Sequence, residues 1–284
     1  MIGALELGLL YAFLAVGVYL TFRVLDFPDL TVDGSFTTGA STAALLITHD
    51  VNPFFAAVCG FAAGFLAGTI TGLLHTWGKI DGLLSGILTM IALWSINLRI
   101  MGSANIPLLS TGSIFDPVDD LMGTWVGVGL LAVTAAVVVA IVVWFLSTDL
   151  GLSLRATGDN EAMVASFGVS TNLTKTLTLA LSNGFVGLAG AIVAQYQGFA
   201  DISMGIGLIL VGLASVILGQ AIIPQRYLWL VVGSVAVGAV LYRLIIFAAL
   251  SVGLNPNDMK LITALLVVIA LLVPKLTGGV KSRA

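Results

Sequence analysis

Residues 149–174, DLGLSLRATGDNEAMVASFGVSTNLT, are a polar stretch of helical pattern in the middle of an otherwise oily chain. Hydrocarbon-compatible sequence flanks them on both sides, so this segment leaves the bilayer and works in water. Asp159 is placed to cap a helix, Asn160 and Glu161 fall in its first turn where negative charge suits the dipole, and Gly168 supplies a stop. Met163, Val164 and Phe167 share one face at i, i+1, i+4 spacing. A helix of about two turns is marginal alone in water and needs a partner surface.

The 284 residues are 59% hydrophobic and 9% charged, and the mean hydropathy is +1.13. Soluble domains carry about 25% charged residues. The composition therefore predicts an all-α polytopic membrane protein, a single domain over 1–284 with the polar segment inside it. The net charge of −3 discriminates little, because the placement of the charges matters more than their sum. Cys59 is alone, which excludes a disulfide or a CxxC metal pair within one chain. The first twenty residues, MIGALELGLLYAFLAVGVYL, lack a basic lead and a cleavage site and read as a retained membrane helix.

Apolar runs near the ~20 residues needed to cross a bilayer fall at 2–24, 30–48, 53–75, 82–101, 123–146, 174–196, 203–221, 227–250 and 258–275, predicting about nine transmembrane helices. With the C-terminus in the cytoplasm, Arg23, Lys79, Arg155, Lys175, Arg226, Lys275, Lys281 and Arg283 lie at cytoplasmic ends, against Arg99, Arg243 and Lys260 outside. That bias fits the positive-inside rule. It puts the N-terminus outside, turns the acidic loop 102–122 outward and leaves 149–174 in the cytoplasm. Asp159 and Glu161 give the helix an acidic face, which anionic lipid repels. A helix-in-groove contact with a soluble partner is favoured over an interfacial helix lying on lipid.

Residues 26–35, DFPDLTVDGS, hold three carboxylates beside a proline and a glycine and cannot continue a membrane helix. Asp26 reads as part of a tight turn. Asp29 or Asp33 either caps the following helix or belongs to a broken helix lining a permeation route. Residues 201–218, DISMGIGLILVGLASVIL, echo 29–46, DLTVDGSFTTGASTAALL. The pair suggests a weak inverted repeat, although small-residue membrane helices resemble one another by chance. Gly60, Gly64, Gly68 and Gly72 recur every four residues, a stripe for close helix packing before a dimer seam. Among polar groups inside the runs, Asn97 and Asn183 are the leading pathway candidates, with Asp29, Asp33, Ser35 and Trp94 beside them. Interhelical hydrogen bonding is the ordinary role for any one of these alone.

No catalytic signature is present. The only Gly-Lys pair, Gly78-Lys79, is followed by Ile80 and makes no phosphate loop; GxSxG, HExxH and clustered Cys/His are missing, and no metal site is expected. Any energy for transport must come from an ion gradient or from a separate subunit. An ion-driven carrier or channel, with Asp29 or Asp33 as coupling carboxylates, is the alternative to the reading that follows.

Two blocks, FPDLTVDGSFTTGA at 27–40 and SLRATGDNEAMVASFGV at 153–169, resemble permease subunits of bacterial ATP-binding-cassette importers of the branched-chain amino-acid and ribose type. The second carries an LRA-x-G-x-N-x-x-x-x-A-x-x-G-V pattern. Within that superfamily the likeness is to the short permeases of the tryptophan/tyrosine type. The resemblance implies a multi-pass protein of the bacterial inner membrane that is not itself an enzyme. It implies a coupling helix in which Arg155, Asn160, Glu161, Met163 and Phe167 contact an ATPase subunit. It further implies two ATPase copies holding ATP and magnesium, a second permease copy, and an extracytoplasmic solute-binding protein or lipoprotein. No cofactor on this chain and no nucleic-acid partner are implied. The expected cargo is a small solute, with an aromatic amino acid favoured.

Overall fold

The computed structural model describes residues 1–109, 111–253 and 258–276. Helices occupy the predicted apolar stretches: α1 (Ile2–Tyr19, continued by a π-helical turn Leu20–Val24), α2 (Thr31–Thr48), α3 (Pro53–Thr76), α4 (Gly82–Met101), α5 (Trp125–Leu146), α8 (Thr171–Gln197), α9 (Leu208–Ile222), α10 (Leu228–Ser251) and α11 (Met259–Leu276). Among the described residues, six helices are long and apolar enough to cross a membrane: Ile2–Val24, α3, α4, α5, α8 and α10. α2 carries a face of Thr and Ser, and α9 has 15 residues. Lys281 and Arg283, part of the charge argument, lie outside the described residues.

Local chemistry explains the boundaries. Asn52 accepts the Phe54 amide at 2.9 Å ahead of Pro53, so α3 starts with a cap and a residue that needs no donor. Asp81 caps α4 by accepting Leu83 N at 3.0 Å, and Gly102, with φ of 65°, ends it. Asp26 adopts φ of 54° in the turn after the π-helix, a conformation that Asp tolerates better than most side chains. The seventh stretch starts later than predicted. Residues 203–207 form turns, and the helix begins only after Gly207, whose φ is 86°. Two three-residue strands, β1 (Asn105–Pro107) and β2 (Phe199–Asp201), pair antiparallel and interrupt the otherwise helical design.

α8 is the hub. It packs on α1, α2 and α3, and 72% of an apolar 18-residue stretch of it is buried inside the protein, against 22% of such a stretch of α5. Inside a bilayer, helices gain little from hydrophobic burial against one another and rely on close packing. The glycine stripe of α3 provides it. A Cβ at Gly60 would sit 2.7 Å from the Ala191 Cβ, and those at Gly64 and Gly68 would collide with the Asn183 and Leu179 carbonyls of α8. The stripe is thus a packing seam within the chain.

The polar segment is two helices, α6 (Asp149–Asp159) and α7 (Glu161–Ser166), where the sequence suggested one. Asp159 does not cap; it is the last residue of α6. Thr148 starts α6 by accepting the Gly151 amide, so the chain is already helical when it reaches Asp159. Asn160 is extended and its side chain accepts the Met163 amide at 3.0 Å.

Candidate functional site

The polar residues singled out between 26 and 35 fall into two sets. Asp29 is buried: its Oδ1 accepts Thr31 N at 2.9 Å, and its Oδ2 accepts Nδ2 of Asn183 at 2.6 Å. The same Asn183 nitrogen donates to Leu179 O at 2.9 Å. Thr31, two residues on, shares a hydroxyl contact of 2.7 Å with Thr71 of α3. This knot pins the start of α2 to α3 and α8. Asp29 therefore acts as the cap expected for the second helix, and Asn183 is its partner.

Asp33 does something the sequence could not announce. It lies in the first turn of α2, yet its carboxylate reaches α9, accepting Gly207 N at 2.7 Å and Ile209 N at 2.8 Å. A carboxylate is therefore held between two helix N-termini, where each dipole favours negative charge. α2 and α9 begin at the same place, end against end. Asp201 accepts Ser203 N at 2.8 Å, the same local turn that Asp29 makes with Thr31.

Beside this junction is a half-open pocket of about 390 Å³, lined by Asp33, Gly34, Thr37, Met90, Ile91, Trp94, Ser95, Asn97, Ile202 and Ile206. Three candidates meet there: Asp33, Trp94 and Asn97. Asp29, Ser35 and Asn183 are not among the lining residues; Ser35 is fully buried with its hydroxyl unpartnered. Thr37, Ser95, Ile202 and Ile206 were missed because only tertiary contact shows which face of α2, α4 and the 201–207 turn looks inward. Glu6 was missed as well, despite being a carboxylate inside an apolar run. It is 1% exposed and accepts Gly123 N and the Tyr196 hydroxyl, both at 2.7 Å, tying α1 to α8 and to the approach to α5.

Of the three apolar residues expected on one face of the polar segment, two are exposed and one is not. Met163 and Phe167 are 47% and 77% exposed, whereas Val164 is 4% exposed. Successive helical residues are about 100° apart, so 163 and 167 share a side while 164 turns away and packs against the protein. Arg155 is exposed on α6. Glu161 pairs with Lys175 of α8 at 2.7 Å. The hydrogen bond from the Lys175 ammonium holds the Glu161 carboxyl below its ordinary range. Because this pKa is depressed by folding, the tether is fully present above the ordinary glutamate range and is lost as pH falls through the lower folded value. Amide exchange in α7 is expected to rise once the pH falls below the ordinary glutamate range, and Glu161→Gln should abolish that pH dependence. Exchange that ignores both changes would remove the tether.

Residues 1–272 match the family model "Branched-chain amino acid transport system / permease component". The chain is 39% identical over 267 residues to a tyrosine transport system permease protein of Clostridioides difficile (strain R20291), covering 94% of this chain and 88% of that one. It is 28% identical over 215 residues to the ribose import permease protein of Escherichia coli (strain K12), covering 73% and 65%. Among solved structures, PsaBC from Streptococcus pneumoniae in complex with Fab shares the fold, with a TM-score of 0.55, 15% identity and coverage of 96% and 94%. The relatives are membrane transport components and not enzymes. With apolar spanning helices, a family model over nearly its whole length and a relative of 39% identity, the chain belongs to the permease-component family of branched-chain amino acid transport systems, within the ATP-binding-cassette importers.

Proposed function

We propose that this chain is the membrane subunit of an ATP-driven importer that moves a small amino acid, aromatic by preference, handed over by an extracytoplasmic binding protein. The reading has two copies of this chain and two ATPase subunits that hold ATP and magnesium; the chain itself carries no cofactor. It has nine crossings, with the N-terminus outside and α6–α7 in the cytoplasm. The 39%-identical tyrosine transport permease supports the amino-acid class.

The observation that carries the proposal is the pair Met163 and Phe167, large apolar side chains left exposed on a short polar helix. Such side chains suit an ATPase groove, with Arg155 and Asn160 at its margin. Closure of the ATPases on ATP would push α7, and the Glu161–Lys175 pair would pass that push to α8. α8 holds Asn183, which holds Asp29, which starts α2 at the pocket. The shared turn at Asp29 and Asp201, with α2 and α9 meeting at Asp33, supports an inverted pair of helices around the path.

The test is Met163→Ala with Phe167→Ala. Each is placed as an interface anchor, and loss of an anchor costs about 2 kcal/mol or more, so ATPase affinity should fall at least about thirtyfold per side chain. Co-purification measures it, with membrane insertion unchanged. Wild-type association in the double variant would remove the docking role. The rival reading, a gradient-driven carrier using Asp29 or Asp33, is favoured by Asp33 lining the pocket. Against it, Asp29 does not line the pocket and already holds structural hydrogen bonds.

A further inference from the structure

The backbone donors of the turn beside the pocket are already used. The amides of Met204, Ile206, Gly207, Leu208, Ile209 and Leu210 all donate within the protein, either to backbone carbonyls or to the Asp33 carboxylate. The Thr37 hydroxyl donates to the Asp33 carbonyl at 3.4 Å. Asn97 is 1% exposed and donates its Nδ2 to Gly34 O at 3.4 Å. Its Oδ1 is left buried without a partner. An oxygen in that state is costly unless a ligand arrives to use it.

The pocket wall has no Lys, Arg or His, while Asp33 brings a carboxylate, Ser95 a hydroxyl, and Trp94 a ring that is 43% exposed. Lys260 is close enough to Asp33 to act on it electrostatically but does not line the pocket. What fits beside Asn97 Oδ1 and the Asp33 carboxylate is a group that donates and carries positive charge. We propose that Asn97 Oδ1, with Asp33 on the same pocket, forms a subsite for a primary ammonium, so that the pocket takes amines with an apolar or aromatic body. An ammonium has three donors and no acceptor. Its body would lie against Trp94, Met90 and Ile91, and an indole face also attracts cations. The subsite rests on the transport reading and narrows it, because it separates amine-bearing cargo from sugars of similar size.

The experiment uses the purified full-length chain in nanodiscs, without ATPase or binding protein, titrated with phenethylamine and with 3-phenylpropionate. These probes share a phenyl ring and a two-carbon arm and differ in the charge at its end. Phenethylamine should bind at least tenfold more tightly. A hydrogen bond to a charged partner is strong enough that Asn97→Leu should weaken amine binding roughly ten- to a hundredfold. Asn97→Asp, nearly the same shape, should tighten it. Equal binding of the two probes, preference for the carboxylate, no binding of either, or indifference to Asn97→Asp would each overturn the subsite. Should Asn97→Leu fail to fold, the Asn97→Asp comparison still decides. Loss of amine discrimination with ATP-dependent uptake intact would sink only the subsite. Absent uptake with amine binding intact would sink only the importer reading.

Discussion

Gly39→Val should yield no folded protein, while Gly129→Ala should leave the chain as stable as before or slightly more so. At Gly39 the α2 backbone lies against Gly187 of α8, and a Cβ there would meet the Gly187 carbonyl group, with its carbon and Cα each 2.5 Å away. The neighbour is backbone, so no side chain can swing aside. Gly187 in turn sits against Gly60 of α3, whose carbonyl oxygen a Cβ would approach to 2.5 Å. Three helices thus converge where none has room to retreat. Overpacking a core of movable side chains costs about 1–3 kcal/mol; a clash with main chain at this junction exceeds that. Gly129 of α5 has nothing within 4 Å of the added Cβ, and alanine is favoured over glycine in a helix by up to about 1 kcal/mol. Monodisperse yield in detergent and a melting curve measure both. Normal yield of Gly39→Val would mean that α2, α3 and α8 do not pack as described.

Asp33→Ala should unravel the start of α9 and abolish transport, whereas Asp33→Asn should fold and transport poorly. The carboxylate accepts two α9 amides. With alanine both amides lose their acceptor; each is part-buried, so about 1–3 kcal/mol per amide is the upper bound, reached only where water from the pocket cannot replace the carboxylate. Asparagine caps a helix about as well as aspartate, so the helix start survives with one acceptor oxygen. What asparagine removes is the negative charge between two helix N-termini and beside the pocket. Melting temperature and uptake rate, measured together, separate the effects. Uptake in Asp33→Asn should fall more than about tenfold, equivalent to some 1.4 kcal/mol. Unchanged uptake would reduce Asp33 to a cap.

Helix positions were legible because apolar runs and local caps such as Asn52-Pro53 and Asp81 act within a few residues. The polar segment was legible for the same reason, since charge and apolar spacing alone marked it. Its division into α6 and α7 was not. Asp159 and Asn160 are both good caps, and only the helix already running from Asp149 decides between them. Asp33 was recognised as special, but its partners are 174 and 176 residues away, beyond any local pattern. The pocket was half legible: Trp94 and Asn97 stood out as polar or amphipathic groups in a span. Ile202 and Ile206 look like any other apolar residues until the turn before α9 folds them inward. Glu6 could have been found, because a carboxylate in the first apolar run needs buried partners to be tolerated there.

The central claim is that an external ATPase, docked on α7, drives this chain. Reconstitution into liposomes with its ATPase and binding protein, followed by uptake of labelled tyrosine, tests that claim directly. The account expects uptake only when ATP, ATPase and binding protein are all present, and its loss in the Met163→Ala, Phe167→Ala double variant. Uptake by the permease alone, driven by an ion gradient without ATPase, would contradict it.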